Sequence, residues 1–134
     1  MVNSSAQPPS HHSHGADESS QRGVDLLAGG DAVGAAQAFR EAIVADPAHI
    51  EAHHGLIRAL RDAEQFEAAV AAAQALTELT PHDPLAHTSL SIALQMAGYI
   101  PEAEAAAARA RILEWKQQLA AEPDTESSLH RDTP

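Results

Sequence analysis

The stretch GDAVGAAQAFREAIVADP, residues 30–47, returns twice more along the chain in altered form. Its counterparts are EQFEAAVAAAQALTELTP at 64–81 and GYIPEAEAAAARARILEW at 98–115, each 34 residues after the one before. A fixed period of this length is typical of repeat architectures, in which one unit cannot bury its apolar face alone and stacks on its neighbours. The sequence therefore predicts three copies of one structural unit.

Each unit reads as two helices. The quoted stretches are the second helices, and each is preceded by a segment with apolar residues at helical spacing, such as Leu56 and Leu60. Side-chain size is kept at equivalent positions of the three units: Ala35, Ala69 and Ala103; Leu26, Leu60 and Leu94; Ala42, Leu76 and Ala110. The small residues in the second helices would let paired helices approach closely. We predict an all-α fold.

Composition limits the classes of partner. The chain has 134 residues, 44% of them hydrophobic and 3% aromatic, so one core built largely from Ala, Leu, Ile and Val is expected. With 8 Lys and Arg against 19 Asp and Glu, the net charge of -11 would repel nucleic acid and anionic membranes, and it favours basic partners. The absence of cysteine excludes disulfides and thiolate chemistry.

The change in amino-acid composition along the chain predicts three regions. Residues 1–15 are rich in His, Ser and Pro, and residues 122–134 are polar, so both are expected to be disordered. Between them, 16–121 would hold the repeats 16–49, 50–83 and 84–121, the last with an extended capping helix. The sequence shows neither the features of a secretory signal nor an apolar run long enough for a membrane span, which predicts a cytoplasmic location without membrane insertion.

These units resemble the tetratricopeptide repeat family. The residues that carry the resemblance are Gly23, Leu26, Gly30, Ala35, Phe39, Ala42 and Pro47; Leu56, Leu60, Phe66, Ala69, Leu76 and Pro81; and Leu90, Leu94, Gly98, Tyr99, Ala103 and Ala110. The chain departs from the family pattern at Ser19, His53 and His87 in place of a large aromatic, at Ile57 and Ser91 in place of glycine, and at Trp115 in place of proline. The resemblance implies antiparallel helix pairs stacked in a right-handed superhelical solenoid.

The resemblance also implies a binding surface. In this family the first helices line a concave groove that holds an extended peptide or a partner helix. The corresponding residues here are Asp17, Ser20, Val24 and Leu27; Glu51, His54, Arg58 and Arg61; and Leu85, Thr88, Ile92 and Gln95. Because Arg58 and Arg61 are the only basic members and lie beside Leu85 and Ile92, we expect a protein or peptide segment that combines acidic and apolar residues.

The last helix carries a second candidate surface. Ile112, Trp115 and Leu119 form an apolar stripe. This stripe could close the end of the solenoid over the second helix of repeat two, or it could be a docking surface that also permits self-association. The sequence does not decide between the two.

Two other functions compete with an interaction module. The histidines His11, His12 and His14, or the pair His49 and His53, could hold a metal, which would make the chain a metal-handling protein. No phosphate loop, nucleophile elbow or zinc-protease motif is present, so no catalytic residue and no cofactor is predicted. The favoured hypothesis is a non-catalytic protein–protein interaction module, a scaffold, accessory or assembly subunit of a larger complex.

Overall fold

A computed structural model describes residues 8–121 of the chain, with side chains from His14 onward. This part contains six α-helices and no strand, which confirms the all-α prediction. The helices are α1 Pro8–Ala28, α2 Ala32–Ala45, α3 Ile50–Asp62, α4 Phe66–Leu79, α5 Pro84–Ala97 and α6 Ile100–Ala121. The predicted disordered tail, 122–134, lies outside the described residues, and so does the beginning of the predicted arm.

The first helix begins earlier than the sequence predicts. We expected the repeats to start at residue 16, after a disordered arm, but α1 begins at Pro8. Adding turns to an existing helix avoids the cost of nucleation, and a proline is tolerated in the first turn because its missing N–H would have no partner there. His14 Nε2 and Glu18 Oε2, one turn apart, also lie 3.0 Å from each other on this extension.

Left-handed residues join the two helices of each pair. Gly30 has φ 91° between α1 and α2, and Gly98 has φ 94° between α5 and α6, as expected for glycines at helix ends. In the second repeat the same position is Glu64, with φ 61°. A side chain is costly in this conformation, but the turn is still closed by a hydrogen bond from Gln65 N to Leu60 O, 2.8 Å long.

The helices stack in chain order. Paired helices α1–α2, α3–α4 and α5–α6 pack together, and α2 and α4 also pack on the first helix of the next pair. The first helices α1, α3 and α5 follow one another along one side. Within residues 8–121, the backbones of the second helices α2, α4 and α6 do not come close to each other. This arrangement is the stacked solenoid that the repeat predicts.

Small side chains lie between the paired helices. Ala35 and Ala69 are completely buried, and Ala103 is nearly so. The large side chains that are most completely buried are Phe39, Leu60 and Leu76. Close helix packing around alanine therefore supplies most of the core, as the low aromatic content predicts.

Two glycines enclose the ring of Phe39. A Cβ atom on Gly23 of α1 would lie 2.8 Å from the Phe39 ring, and one on Gly55 of α3 would overlap it even more closely. Because real Cβ atoms do not approach a ring so closely, only glycine fits at both positions. Phe39 from α2 thus fills the space where the first and second repeats meet.

Histidines fasten both junctions between repeats. His53 Nε2 donates to the carbonyl oxygen of Pro47 at 2.8 Å, and His87 Nε2 donates to that of Pro81 at 2.9 Å. Both bonds join the start of a repeat to the proline that ends the previous one. They explain how histidine serves where the family usually has a large aromatic.

Candidate groove between the first helices

A cavity of about 270 Å³ lies between α1 and α3 on the side formed by the first helices. Its lining residues are Ser20, Val24, Leu27, Phe39, Glu51, His54, Gly55 and Arg58. Val24, Leu27 and Phe39 make part of the wall apolar, while Glu51 and Arg58 are exposed charged residues. The structure thus brings together predicted groove residues from the first and second repeats.

Local helix geometry explains why these side chains converge. Glu51, His54 and Arg58 are spaced by three and four residues, so they share one face of α3. Gly55 lies beside that face, and its missing side chain gives α3 room to pack on Phe39. Gly55 is not among the groove residues predicted from the sequence, although an isolated glycine inside a helix often has a packing reason.

The electrostatics of the cavity come from Glu51, His54 and Arg58. Partial burial lowers the pKa of His54, partly opposed by the charge of Asp83, while His53 lowers it further. The lowered pKa favours the neutral form of His54. Among the described residues, the ion pairs within 4.0 Å involve other side chains, so Arg58 keeps an exposed guanidinium available to an anionic group.

Arg61 differs from Arg58. It is half-buried and does not line the cavity, and its buried Nε atom has no hydrogen-bond partner among the described residues. Part of this guanidinium is therefore covered by the protein, whereas that of Arg58 is open to solvent.

The third repeat contributes an apolar strip outside this cavity. On α5, Leu85 is 56% exposed and Ile92 is 37% exposed, while Gln95 is exposed and Thr88 is half-buried. Exposed aliphatic side chains of this size gain free energy when a partner covers them. The groove side of the molecule therefore offers apolar surface on α5 in addition to the cavity beside Arg58.

A wider opening lies at the start of α3. It has a volume of about 560 Å³ and is lined by Asp17, Ser20, Gln21, Val24, His49, Ile50 and Glu51. His49 Nδ1 accepts from Ala52 N at 3.1 Å, which caps α3, and its Nε2 donates to Asp17 Oδ1 at 2.7 Å. Both ring nitrogens of His49 are therefore engaged, and this histidine ties α1 to α3.

Nothing in the structure supports the metal-handling alternative. Both ring nitrogens of His49 are hydrogen-bonded within the protein, and His53 Nε2 donates a hydrogen bond to a backbone carbonyl. Within the part of the chain that is described, no group of three or more potential metal ligands comes together. The side chains of His11 and His12 lie outside the described residues.

The apolar stripe of the last helix is uncovered. Ile112 is 45% exposed, Trp115 60% and Leu119 49%. α6 packs against α5 and, in the described chain, its backbone does not come close to that of α4. The stripe therefore does not close the solenoid over the second helix of repeat two, which was one of the two alternatives.

None of the six helices between residues 8 and 121 is both long and apolar enough to cross a lipid bilayer.

The proteins and families that the chain resembles have the same repeat fold. The chain matches the tetratricopeptide repeat family over residues 26–93, which is 68 of its 134 residues. No curated protein matches the sequence closely enough to count as a relative.

Three solved structures are similar to the chain. A structure of a CopN-Scc3 complex has a TM-score of 0.68 at 21% identity, covering 73% of this chain and 58% of that one. A MamA structure (MSR-1 C2) has a TM-score of 0.70 at 17% identity, covering 76% and 59%. The type III secretion translocator chaperone SycD of Yersinia enterocolitica has a TM-score of 0.69 at 18% identity, covering 89% and 86%. The chain spans less than two thirds of the first two, and at these identities the likeness shows the fold.

Proposed function

The chain belongs to the tetratricopeptide repeat family and is a protein–protein interaction module, and we propose that it binds an extended partner segment along its first helices without catalysing a reaction. Its role would be that of a scaffold, accessory or assembly subunit of a larger complex. The cytoplasmic location expected from the sequence is part of this proposal, and fractionation of the cells that produce the protein tests it.

The observation that carries the proposal is the cavity between α1 and α3. Its apolar wall at Val24, Leu27 and Phe39 suits one apolar side chain of the partner, and the exposed Arg58 suits a neighbouring carboxylate. In such interfaces the buried apolar anchor supplies most of the affinity, whereas exposed charges fix register and steer association. Leu85 and Ile92 on α5 would cover further apolar residues of the same segment.

Site-specific crosslinking tests where the partner binds. A photoreactive amino acid replaces Val24 in the groove, Trp115 on α6, or Val44, which is 83% exposed on α2 and serves as the control. Crosslinking in the cells that produce the protein should capture one partner at Val24 and not at Val44. Capture at Trp115 alone would place the interaction on the last helix and overturn the groove assignment.

Charge reversal then tests the partner's chemistry. With a peptide from the captured partner, Arg58→Glu should weaken binding by on the order of 1 kcal/mol at low salt, and by less at high salt. Arg40→Glu, an exposed arginine on α2, is the matched control and should leave affinity unchanged. Arg61 is not used because its partial burial would mix binding with stability. Equal effects of both variants would refute a specific carboxylate contact.

A further inference from the structure

A separate cavity of about 400 Å³ lies where α4, the end of α5 and the start of α6 meet. Its lining residues are Glu67, Val70, Ala71, Gln74, Leu94, Tyr99 and Glu102. None of them belongs to the groove between α1 and α3. Val70 and Leu94 give the cavity an apolar wall, while an aromatic ring and two carboxylates surround it.

Tyr99 is held in place from three directions. Its backbone N–H donates to Leu94 O at 2.9 Å, and its carbonyl oxygen accepts from Ala103 N at 2.9 Å. Its hydroxyl group donates to Glu67 Oε2 at 2.8 Å, and the residue remains 41% exposed. The hydroxyl bond therefore orients the ring before any partner arrives, which lowers the entropy cost of binding on it.

The charged side chains that line this cavity are both acidic. Glu67 and Glu102 are exposed, and among the described residues no basic side chain lines the cavity. The hydrogen bond to Glu67 raises the pKa of Tyr99, as do the charge of Glu67, slight desolvation and the charge of Glu102. The ring thus lies in a negative local field, which favours a cation beside it.

The repeat fold alone does not produce this chemistry. In the preceding repeat, 34 residues earlier, Val33, Gln65 and Ala68 stand where the cavity has Glu67, Tyr99 and Glu102. The equivalent surface between the first and second repeats therefore lacks both the aromatic ring and the two carboxylates. The combination is particular to the junction between the second and third repeats.

We propose that this cavity binds an arginine side chain of a protein partner, at a site independent of the groove. A guanidinium can stack on the Tyr99 ring while it hydrogen-bonds to the carboxylate of Glu67 or Glu102. The methylene groups of arginine would pack on Val70 and Leu94. The planar, weakly hydrated guanidinium fits this combination better than the compact ammonium of lysine. A basic partner also matches the net charge of -11.

Nuclear magnetic resonance on the full chain tests the proposal with acetyl-Gly-Arg-Gly-amide as the probe. Tyr99 is the only tyrosine, so its ring signals are unambiguous. Saturable shifts are expected at Tyr99, Val70 and Leu94. Acetyl-Gly-Gln-Gly-amide should cause none, and the lysine peptide should bind more weakly than the arginine peptide.

Variants decide whether the cavity is responsible. Glu67→Gln combined with Glu102→Gln keeps helix-forming side chains and should weaken the arginine peptide by about tenfold or more. Glu104→Gln removes the same charge from an exposed position of α6 outside the lining and should leave binding unchanged. Amide spectra of each variant check that the fold is intact. The proposal is overturned if the Tyr99 ring does not respond, if Glu104→Gln weakens binding as much as the double variant, or if lysine binds as tightly as arginine.

Discussion

At the junction between the first and second repeats, the ring of Phe39 fills the space between α1 and α3. At the junction between the second and third repeats, 34 residues later, the equivalent residue is Ala73. Both residues are buried. The two junctions thus have the same backbone arrangement but very different side-chain volumes at the same position.

Neighbouring positions change in the opposite direction. Gly23, which faces Phe39, is replaced by Ile57 in the second repeat, where only 2% of the isoleucine is exposed. At the first junction the large side chain, Phe39, is on the second helix of the unit, whereas at the second junction the large side chain, Ile57, is on the first helix. The bonds from His53 to Pro47 and from His87 to Pro81 stay the same. The repeat thus preserves the helix spacing and the hydrogen bond from histidine to proline, while the side chains that fill the interior differ in size between the two junctions.

The largest expected loss of stability comes from a substitution at the first junction. Phe39→Ala should lower the free energy of unfolding by about 3 to 5 kcal/mol, because it leaves a cavity between two glycines that cannot fill it. Urea denaturation followed by circular dichroism measures this loss. Phe66→Ala, at the half-buried phenylalanine that begins α4, should cost less. Equal losses would show that Phe39 has no special place in the core.

The next effect separates the two junctions directly. Gly55→Ala should destabilise the protein by about 1 to 2 kcal/mol, since the new Cβ must displace the Phe39 ring despite the better helix propensity of alanine. Ser89→Ala, at the equivalent position in the third repeat, should change stability by less than about 0.5 kcal/mol. In a Phe39→Ala background, Gly55→Ala should become stabilising. The same loss in both backgrounds would contradict the proposed packing.

The smallest effect concerns the bond that both junctions share. His53→Phe should cost about 1 kcal/mol because it leaves the Pro47 carbonyl without its donor in a buried place. His87→Phe should cost less, since His87 is only half-buried and water can reach the Pro81 carbonyl. Thermal melts of the two variants give the comparison. A larger loss at His87 would reverse this ranking of the two junctions.

Much of the fold could be predicted because the period is visible in the sequence. Ala35, Ala69 and Ala103 recur at one spacing, and close helix packing follows from their size. The start of α1 could not be predicted from composition, since polar residues can extend a helix that is already nucleated. The left-handed turn at Glu64 was also missed, because the neighbouring repeats use glycine there.

The groove could be predicted only in part. The spacing of Glu51, His54 and Arg58 places them on one face of α3, and the structure places all three at one cavity; binding there stays a prediction. The covering of the Arg61 Nε atom depends on inter-helix distances that the sequence does not contain. The contact between Glu67 and Tyr99 was missed for the same reason, although a separation close to one period could have suggested it.

The absence of close backbone contacts among α2, α4 and α6 in the described chain has a mechanical consequence. The backbone of each helix lies close only to near neighbours in the chain, so side chains alone link successive second helices in the described stack. Bending of the helix stack is therefore concentrated at the two junctions between repeats, which are its joints. The joint that holds Phe39 has a bulky ring between two glycines, whereas the joint with Ala73 has the buried Ile57 on α3 and the hydrogen bond from Tyr99 to Glu67. A change in the pitch of the coil must therefore either repack Phe39 at the first joint or break the hydrogen bond from Tyr99 to Glu67 at the second.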